Sequence, residues 1–286
     1  MEASMLRAPR SRKPQTPAAA EELAEGLVSP IRSLAREAGE FATFVWRTLL
    51  EVPGVWRYTS EVLRQAGILI VGSALVIWFM QFVMGTTCGM EGNYVLRGYG
   101  ASVYSGVLTG VCAVREMGPY MWGYILSAMV GCGLVAEIGS MRINDEIDAM
   151  ESMGMNPMRY ICATRLVAAA LVFPAIYLIG LAVNTVGSYL VVVVQIGEVS
   201  KGGWETVHWN FQEPLDYLYS LIKVMTTGLG IVLIGMYYGY RASGGPVGVG
   251  TATARSMIVS LVMIHVVGAF FSVIFWGFNA SSPIGG

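Results

Sequence analysis

The stretch from residue 166 to residue 197 reads LVAAALVFPAIYLIGLAVNTVGSYLVVVVQIG and holds no Asp, Glu, Lys or Arg. A transmembrane helix needs roughly 20 mostly apolar residues, each rising about 1.5 Å, to cross a hydrocarbon core of about 30 Å. At about 32 residues this stretch exceeds one perpendicular crossing, so tilt, a bend at Pro174 or extension beyond the bilayer must absorb the excess. The sequence therefore indicates a membrane-spanning helix here.

The rest of the chain repeats this pattern, and 55% of its 286 residues are hydrophobic while 13% are charged. In an average soluble domain, about 45–50% of the residues are hydrophobic and about 25% are charged. We therefore predict an all-α integral membrane protein with a transmembrane permease domain over residues 65–280. Its five expected spans are about 67–87, 119–138, 163–197, 217–240 and 256–278.

One uncharged stretch, residues 98–114, does not suit a conventional span. It is rich in Gly, Ser and Tyr and lies between Arg97 and the adjacent pair Arg115 and Glu116. Because charges at membrane depth are costly, we expect a re-entrant or half helix before the second span.

The segment before the first span is basic, with nine Arg or Lys residues among the first 64. Positive residues beside spans stay in the cytoplasm, which predicts a cytoplasmic N-terminus and, after five spans, an extracytoplasmic C-terminus. We expect residues 1–30 to be a disordered cytoplasmic tail and residues 31–64 an interfacial amphipathic helix with Trp46 and Trp56 at headgroup depth. A soluble helix packed on a partner protein is the alternative for residues 31–64.

Several function classes find no support in the sequence. The four cysteines form no C-x-x-C pair and the two histidines are far apart, which predicts single buried thiols and no metal site. No G-x-S-x-G motif occurs and no constellation of a nucleophile with its base, paired acids or a metal cluster is visible, so we expect no catalytic residues. No aromatic residues interleave with the basic residues of positions 1–20, which argues against nucleic-acid binding.

The most informative polar segment, residues 137–157, reads EIGSMRINDEIDAMESMGMNP. Ile143, Ile147, Met150 and Met153 fall on one stripe of a helix, which we place at about 141–154. Gly154 suits a C-cap, and a helix cannot continue through Pro157. A solvated loop helix is one interpretation. The acidity of the other faces, unusual for a cytoplasmic loop, favours contact with a protein. The acidic residues are Asp145, Glu146, Asp148 and Glu151.

This segment resembles the signature of the MlaE/YrbE permeases, which work with MCE proteins in bacterial lipid transport, most closely in their actinobacterial YrbE branch. The resemblance covers roughly residues 30–280 in order. It extends to REMGP at 115–119, AEIG at 136–139, LIK at 221–223, GYRASGG at 239–245 and TATAR at 251–255.

The resemblance implies a permease of the bacterial inner or plasma membrane, paired with a second YrbE-type chain, usually as a heterodimer. It also implies a cytoplasmic ABC ATPase dimer, an extracytoplasmic MCE protein hexamer and a hydrophobic lipid substrate: a fatty or mycolic acid, a sterol or a phospholipid. The loop after the second span would couple to the ATPase. The candidate coupling residues are Glu137, Arg142, Asp145, Glu146, Asp148 and Glu151.

Independently, the chain has no G-x-x-x-x-G-K-[ST] phosphate loop. We therefore expect no cofactor in this chain, with ATP and Mg²⁺ bound by the partner ATPase. A membrane scaffold that anchors MCE proteins and an ion-driven transporter are the alternatives, although no internal repeat favours the latter.

Four residues are candidates for the substrate cavity or its gate. Arg115, Glu116 and Lys223 are ionisable at membrane depth, where such residues line a cavity or pair with one another. An internal salt bridge that only fixes the helices is the other interpretation. Met129 stands in AMVG at 128–131, where the family often has an arginine in GRxG, so this chain lacks that charge.

Overall fold

The structure, a computed structural model, describes the backbone of residues 17–277 and the side chains of residues 32, 33 and 35–277. Within that range the regular elements are helical, which confirms the all-α prediction. Short segments of 3₁₀ helix (Val52–Tyr58, Ser102–Tyr104) and π-helix (Cys112–Met117, Ser127–Gly131, Met158–Ala163, Leu190–Ile196) join or extend the α-helices. The α-helices are α1 Pro17–Glu51, α2 Thr59–Arg97, α3 Ser105–Val111, α4 Gly118–Leu126, α5 Cys132–Ile143, α6 Glu146–Ser152, α7 Thr164–Tyr189, α8 Lys201–Asn210, α9 Pro214–Tyr240 and α10 Gly245–Trp276.

Five helical runs in the described residues are long and apolar enough to cross a membrane, in agreement with the five predicted spans. The stretch expected to form a re-entrant or half helix holds α3, which lies in the same helical run as the second span, Ser102–Ile143, and this run passes through Arg115 and Glu116. Both charges find partners on neighbouring helices, so they do not interrupt the span. The runs are Ala35–Arg97, Ser102–Ile143, Met158–Ile196, Pro214–Tyr240 and Gly245–Trp276.

The N-terminal boundaries differ from those expected. Residues 1–16 of the predicted tail lie outside the described residues, and α1 begins at Pro17. It ends at Glu51, before a 3₁₀ segment that contains Pro53, so residues 31–64 are not one helix. Proline disfavours helical geometry in the residue before it, which accounts for the break. Residues up to Phe44 and from Val45 onward form two units, and all packing below is within the second.

Glycines let the long helices approach closely. A Cβ on Gly85 of α2 would lie 1.9 Å from the carbonyl oxygen of Asn184 in α7, so the two backbones are in direct contact. On α9, a Cβ on Gly235 would lie 2.9 Å from the carbonyl oxygen of Gly131. Small residues serve this purpose in membrane helices.

The two ends of the bundle carry different short helices. α6 follows α5 at one end. At the other end, where Arg97 pairs with Glu198 at 3.0 Å, α8 lies between the third and fourth long runs. The hydroxyl of Ser200, the N-cap of α8, accepts a hydrogen bond from the Gly203 N–H. α10 also begins earlier than expected, at Gly245, because a proline in its first turn suits a helix start.

Candidate functional site: a buried ion cluster and an acidic end helix

Arg115 is buried in the second span and pairs with an acid that sequence analysis did not select. Its Nη2 lies 2.8 Å from Oδ2 of Asp216, in the first turn of α9. The other oxygen, Oδ1, accepts a hydrogen bond from the indole N–H of Trp276 at 2.8 Å. A buried charge needs a partner of this kind, so the pair fixes α9 and α10 against the second span.

Lys223 is 1% exposed and uses all three of its ammonium donors. It donates to Oε2 of Glu116 at 2.9 Å, to the hydroxyl of Ser272 at 2.8 Å and to the backbone carbonyl of Arg115 at 3.0 Å. The ammonium also lies 4.9 Å from the ring centroid of Tyr120. Lys223 is therefore fully satisfied inside the chain.

Pro119 explains why α9 places polar side chains here. Proline has no N–H, so the carbonyls of Val114 and Arg115, five and four residues before it, receive no hydrogen bond from position 119. Ser220 donates to the first at 2.6 Å and Lys223 donates to the second at 3.0 Å. The motifs REMGP and LIK thus meet in space, because the Arg115 carbonyl of the first accepts a hydrogen bond from Lys223 of the second.

Arg115, Glu116, Asp216 and Lys223 form the ion cluster, and one side of it reaches the surface of the described chain. The Glu116 side chain is 44% exposed, and His265 on α10 is exposed with its Nε2 2.9 Å from the hydroxyl of Tyr124. Ionisable groups on the flank of a membrane span face protein or a water-filled cavity rather than lipid. This flank of α4 and α10 is therefore a candidate cavity wall.

Met129 lies apart from the other three cavity candidates. It lines a groove of about 250 Å³ together with Gln65, Ser73 and Glu137. Glu137 in turn pairs with Arg165 of α7. The groove thus brings a predicted cavity residue beside a predicted coupling residue on α5.

The predicted coupling helix is shorter than expected. α5 ends at Ile143, Asp145 takes a left-handed conformation with φ 59°, and α6 covers only Glu146–Ser152. Of the apolar stripe, Ile147 and Met150 are buried whereas Met153 is exposed. Arg142 bridges the break by pairing with Asp148.

The acidic face of α6 points away from the bundle. Asp145, Glu146, Asp148 and Glu151 are all exposed, and neither Glu146 nor Glu151 forms an ion pair with another described residue. Three carboxylates on this short helix and a fourth directly before it, at Asp145, make a surface suited to a basic protein partner.

Sequence reasoning missed Asp216, Ser220, Ser272 and Arg165. A signal existed for two of them, because Asp216, Ser220 and Lys223 are spaced i, i+4 and i+7 on one helical face. The expected fourth span begins at residue 217, so Asp216 falls just outside it. No such signal pointed to Ser272 or Arg165, whose partners are far away in sequence.

The histidines and cysteines do not assemble a metal centre in the described part of the chain, where no three His, Cys, Asp or Glu side chains gather. His208 of α8 is buried, its Nδ1 lies 3.0 Å from the Gly106 carbonyl oxygen, and its Nε2 lies 2.7 Å from Nε2 of Gln212. Both bonds form when Nδ1 carries the proton and Nε2 accepts. Burial lowers the pKa of His208, which favours this neutral form.

Comparison with known proteins places these features in a family. The model of the family "Permease MlaE" matches residues 62–274, a range that holds the ion cluster, the groove and α6. The chain belongs to the MlaE permease family. This confirms the resemblance seen in the sequence at the level of the family.

Relatives of this MlaE-family chain carry consistent names. A probable ABC transporter permease protein of Rickettsia prowazekii is 27% identical over 230 residues, which cover 80% of this chain and 88% of that protein. The intermembrane phospholipid transport system permease protein MlaE of Haemophilus influenzae is 26% identical over the same shares of the two chains. The chloroplastic protein TRIGALACTOSYLDIACYLGLYCEROL 1 of Arabidopsis thaliana is 26% identical over 77% of this chain and 62% of its own length.

Proposed function

We propose that this chain is the transmembrane subunit of an MCE-type ABC transporter that moves a hydrophobic lipid across a bacterial envelope. Family membership and the name of the Haemophilus relative support lipid as the substrate class. The observation that carries the coupling to an ATPase is α6, a short helix whose apolar side is buried and whose three carboxylates are exposed, as is that of Asp145 directly before it.

The partners follow from this assignment. A cytoplasmic ABC ATPase dimer binds ATP and Mg²⁺ and contacts α6, since this chain has no phosphate loop. A second YrbE-type permease chain completes a heterodimer, and an MCE hexamer sits on the extracytoplasmic side. The chain lies in the inner or plasma membrane with its N-terminus in the cytoplasm, which the nine basic residues before position 65 support.

The substrate cavity in this proposal is bounded by the flank of α4, the π segment before it and α10, which carries Glu116, Tyr124 and His265. Exposed ionisable groups at membrane depth support this choice. Arg115 and Lys223 act from behind that wall, because both are buried and paired within the chain. Met129 and Glu137 lie on a different groove, between α2 and α5, which is a second surface for lipid.

The coupling role is tested by reversing charge on α6. In the Glu146→Lys/Glu151→Lys chain, purified with its operon partners, we expect the ATPase to be lost from the complex or its ATP hydrolysis to become independent of lipid. The matched control is Glu205→Lys on α8, an exposed acid at the other end of the bundle. ATPase binding, lipid-dependent hydrolysis and lipid transport that all match those of the control would contradict the coupling role and favour a scaffold.

The energy source distinguishes an ion-driven transporter from the proposed ATP-driven one. Lipid movement into vesicles is expected to need ATP on the ATPase side and to persist when a protonophore and a sodium ionophore collapse both gradients. Transport that follows the gradients and ignores ATP would establish the alternative.

A further inference from the structure

Two of the four cysteines meet in the fold. The Sγ atoms of Cys88, on α2, and Cys112, at the start of the first π segment, lie 3.0 Å apart although 24 residues separate them. Both thiols are half-buried, and the structure holds them unbonded. Among the described residues, neither Cys132 nor Cys162 makes such a contact. The expectation of four isolated thiols is therefore wrong for this pair.

The pair lies near one edge of the membrane. Cys88 is followed one helical turn later by Glu91, whose side chain is exposed, and α2 ends at Arg97, which pairs with Glu198. An exposed carboxylate is costly in hydrocarbon, so the headgroup region begins within about 5 Å of Cys88 along the helix. The sulfurs are thus within reach of water and of water-borne reagents.

That edge is the one opposite α6. The residue before α2, Tyr58, packs edge to face on Tyr160 of the π segment Met158–Ala163, with 5.5 Å between the ring centroids. α6 directly precedes that segment in the chain, so the start of α2 and α6 lie at the same end of the bundle. Cys88 lies in the last third of the helix, toward α8. With α6 in the cytoplasm, an orientation that rests on the proposed function, the thiols face the extracytoplasmic side. Disulfides form and persist in that compartment.

We propose that Cys88 and Cys112 are oxidised to a disulfide by an extracytoplasmic thiol–disulfide oxidoreductase. One thiol gives its proton to water, and its thiolate attacks the disulfide of the oxidoreductase to form a mixed disulfide. The second thiolate then displaces the enzyme's sulfur. This chain loses two electrons and two protons, and the oxidoreductase leaves as a dithiol.

The disulfide has a defined mechanical effect. Cys112 precedes Glu116 by four residues, so the bond ties α2 to the second span one turn from the ion cluster. The outer ends of α2 and the second span then move together, while Lys223 holds the same span to α9. Because the second span is then tied to both α2 and α9, its α4 part can move only on the side that faces α10.

Thiol counting tests the disulfide on the full complex. Membranes from aerobically grown cells are quenched in acid, denatured and treated with polyethylene-glycol maleimide, with and without prior reduction. We expect two modified cysteines before reduction and four after it. In Cys132→Ser the expected counts are one and three, and in Cys88→Ser they are three in both cases.

Four modifiable thiols in the unreduced wild-type chain overturn the disulfide, as does an unreduced Cys132→Ser chain with three. Neither count depends on transport or on the ATPase. Failure of the proposed function has a separate signature: labelling of Glu146→Cys in intact cells by an impermeant maleimide, which would place α6 outside.

Discussion

At the scale of single residues, Lys223 stabilises the fold by satisfying acceptors that Pro119 leaves open. Lys223→Met removes donors to Glu116, Ser272 and the Arg115 carbonyl. A buried acceptor without a partner costs about 1–3 kcal/mol, and Glu116 loses less because it is half exposed. We expect the thermal unfolding midpoint in detergent to fall by several degrees.

The matched control for Lys223→Met is Lys201→Met on α8, whose lysine is exposed and makes only a 3.9 Å contact with Glu205. Its unfolding midpoint is expected to stay within about 1 °C of the wild type, since exposed pairs contribute little. If the two variants have the same unfolding midpoint, Lys223 has no structural role. A stable Lys223→Met chain without transport would instead make it a cavity residue.

Asp145 has a backbone role that its charge does not reveal. Its φ of 59° lies in the left-handed region, which Asp and Asn adopt more easily than Ala. Asp145→Asn removes the charge and keeps the turn, whereas Asp145→Ala loses both. We expect Asn to retain ATPase coupling and Ala to reduce it. Equal loss in both variants would assign the role to the carboxylate.

At the scale of elements, the contact between α2 and α7 depends on the absence of a side chain at Gly85. An added methyl would lie 1.9 Å from the Asn184 carbonyl oxygen, which cannot move without shifting the α7 backbone. Overpacking of this kind costs about 1–3 kcal/mol. Gly85→Ala is therefore expected to lower the unfolding midpoint. Gly67→Ala, on the same helix with nothing within 4 Å, is the control that should not.

The stability of α8 is expected to depend on pH through His208. Burial lowers the pKa of His208 in the folded state, so the unfolded segment binds a proton first as the pH falls below about 6.5. Stability that is present at neutral pH is then lost toward pH 5. Hydrogen exchange of Lys201–Asn210, corrected for intrinsic rates, should show faster opening at about pH 5 than at pH 7.5.

In His208→Gln that pH dependence should disappear, even if exchange is faster overall. An unchanged pH dependence in this variant would assign the titration to another group.

Hydropathy and helix signals predicted the five spans and the acidic helix after the second one. They did not predict that residues 98–114 continue into the second span, because the partners that neutralise Arg115 and Glu116 lie on α9 and α10. The pairing of Arg115 with Asp216 spans 101 residues, and no local pattern encodes it. The predicted coupling helix begins later than the local pattern indicates, because α5 ends at Ile143 and the left-handed Asp145 precedes α6.

At the scale of the whole molecule, the exposed flank of α10 is expected to meet the second permease chain. Only 17% of the most apolar 18-residue stretch of α10 is buried, and His265 lies among its exposed residues. A photoreactive benzoylphenylalanine at Val262, one turn from His265, should crosslink to the second permease chain. At Leu171 of α7, which is equally exposed, it should not.

Crosslinking to the permease at Leu171 alone would move the interface away from the α4 and α10 flank. Crosslinks to lipid alone at Val262 would leave Glu116 and His265 facing the bilayer and contradict the cavity assignment.

The carbonyls before Pro119 accept hydrogen bonds from side chains of α9, and this sets an order of events during synthesis. Lys223 is made 108 residues after Arg115, whose carbonyl it satisfies. At about 5–20 residues per second, a ribosome needs about 5–20 s to cover that distance. For that interval the second span holds two carbonyls and two charges without their final partners, so it must wait beside the insertion machinery until α9 arrives.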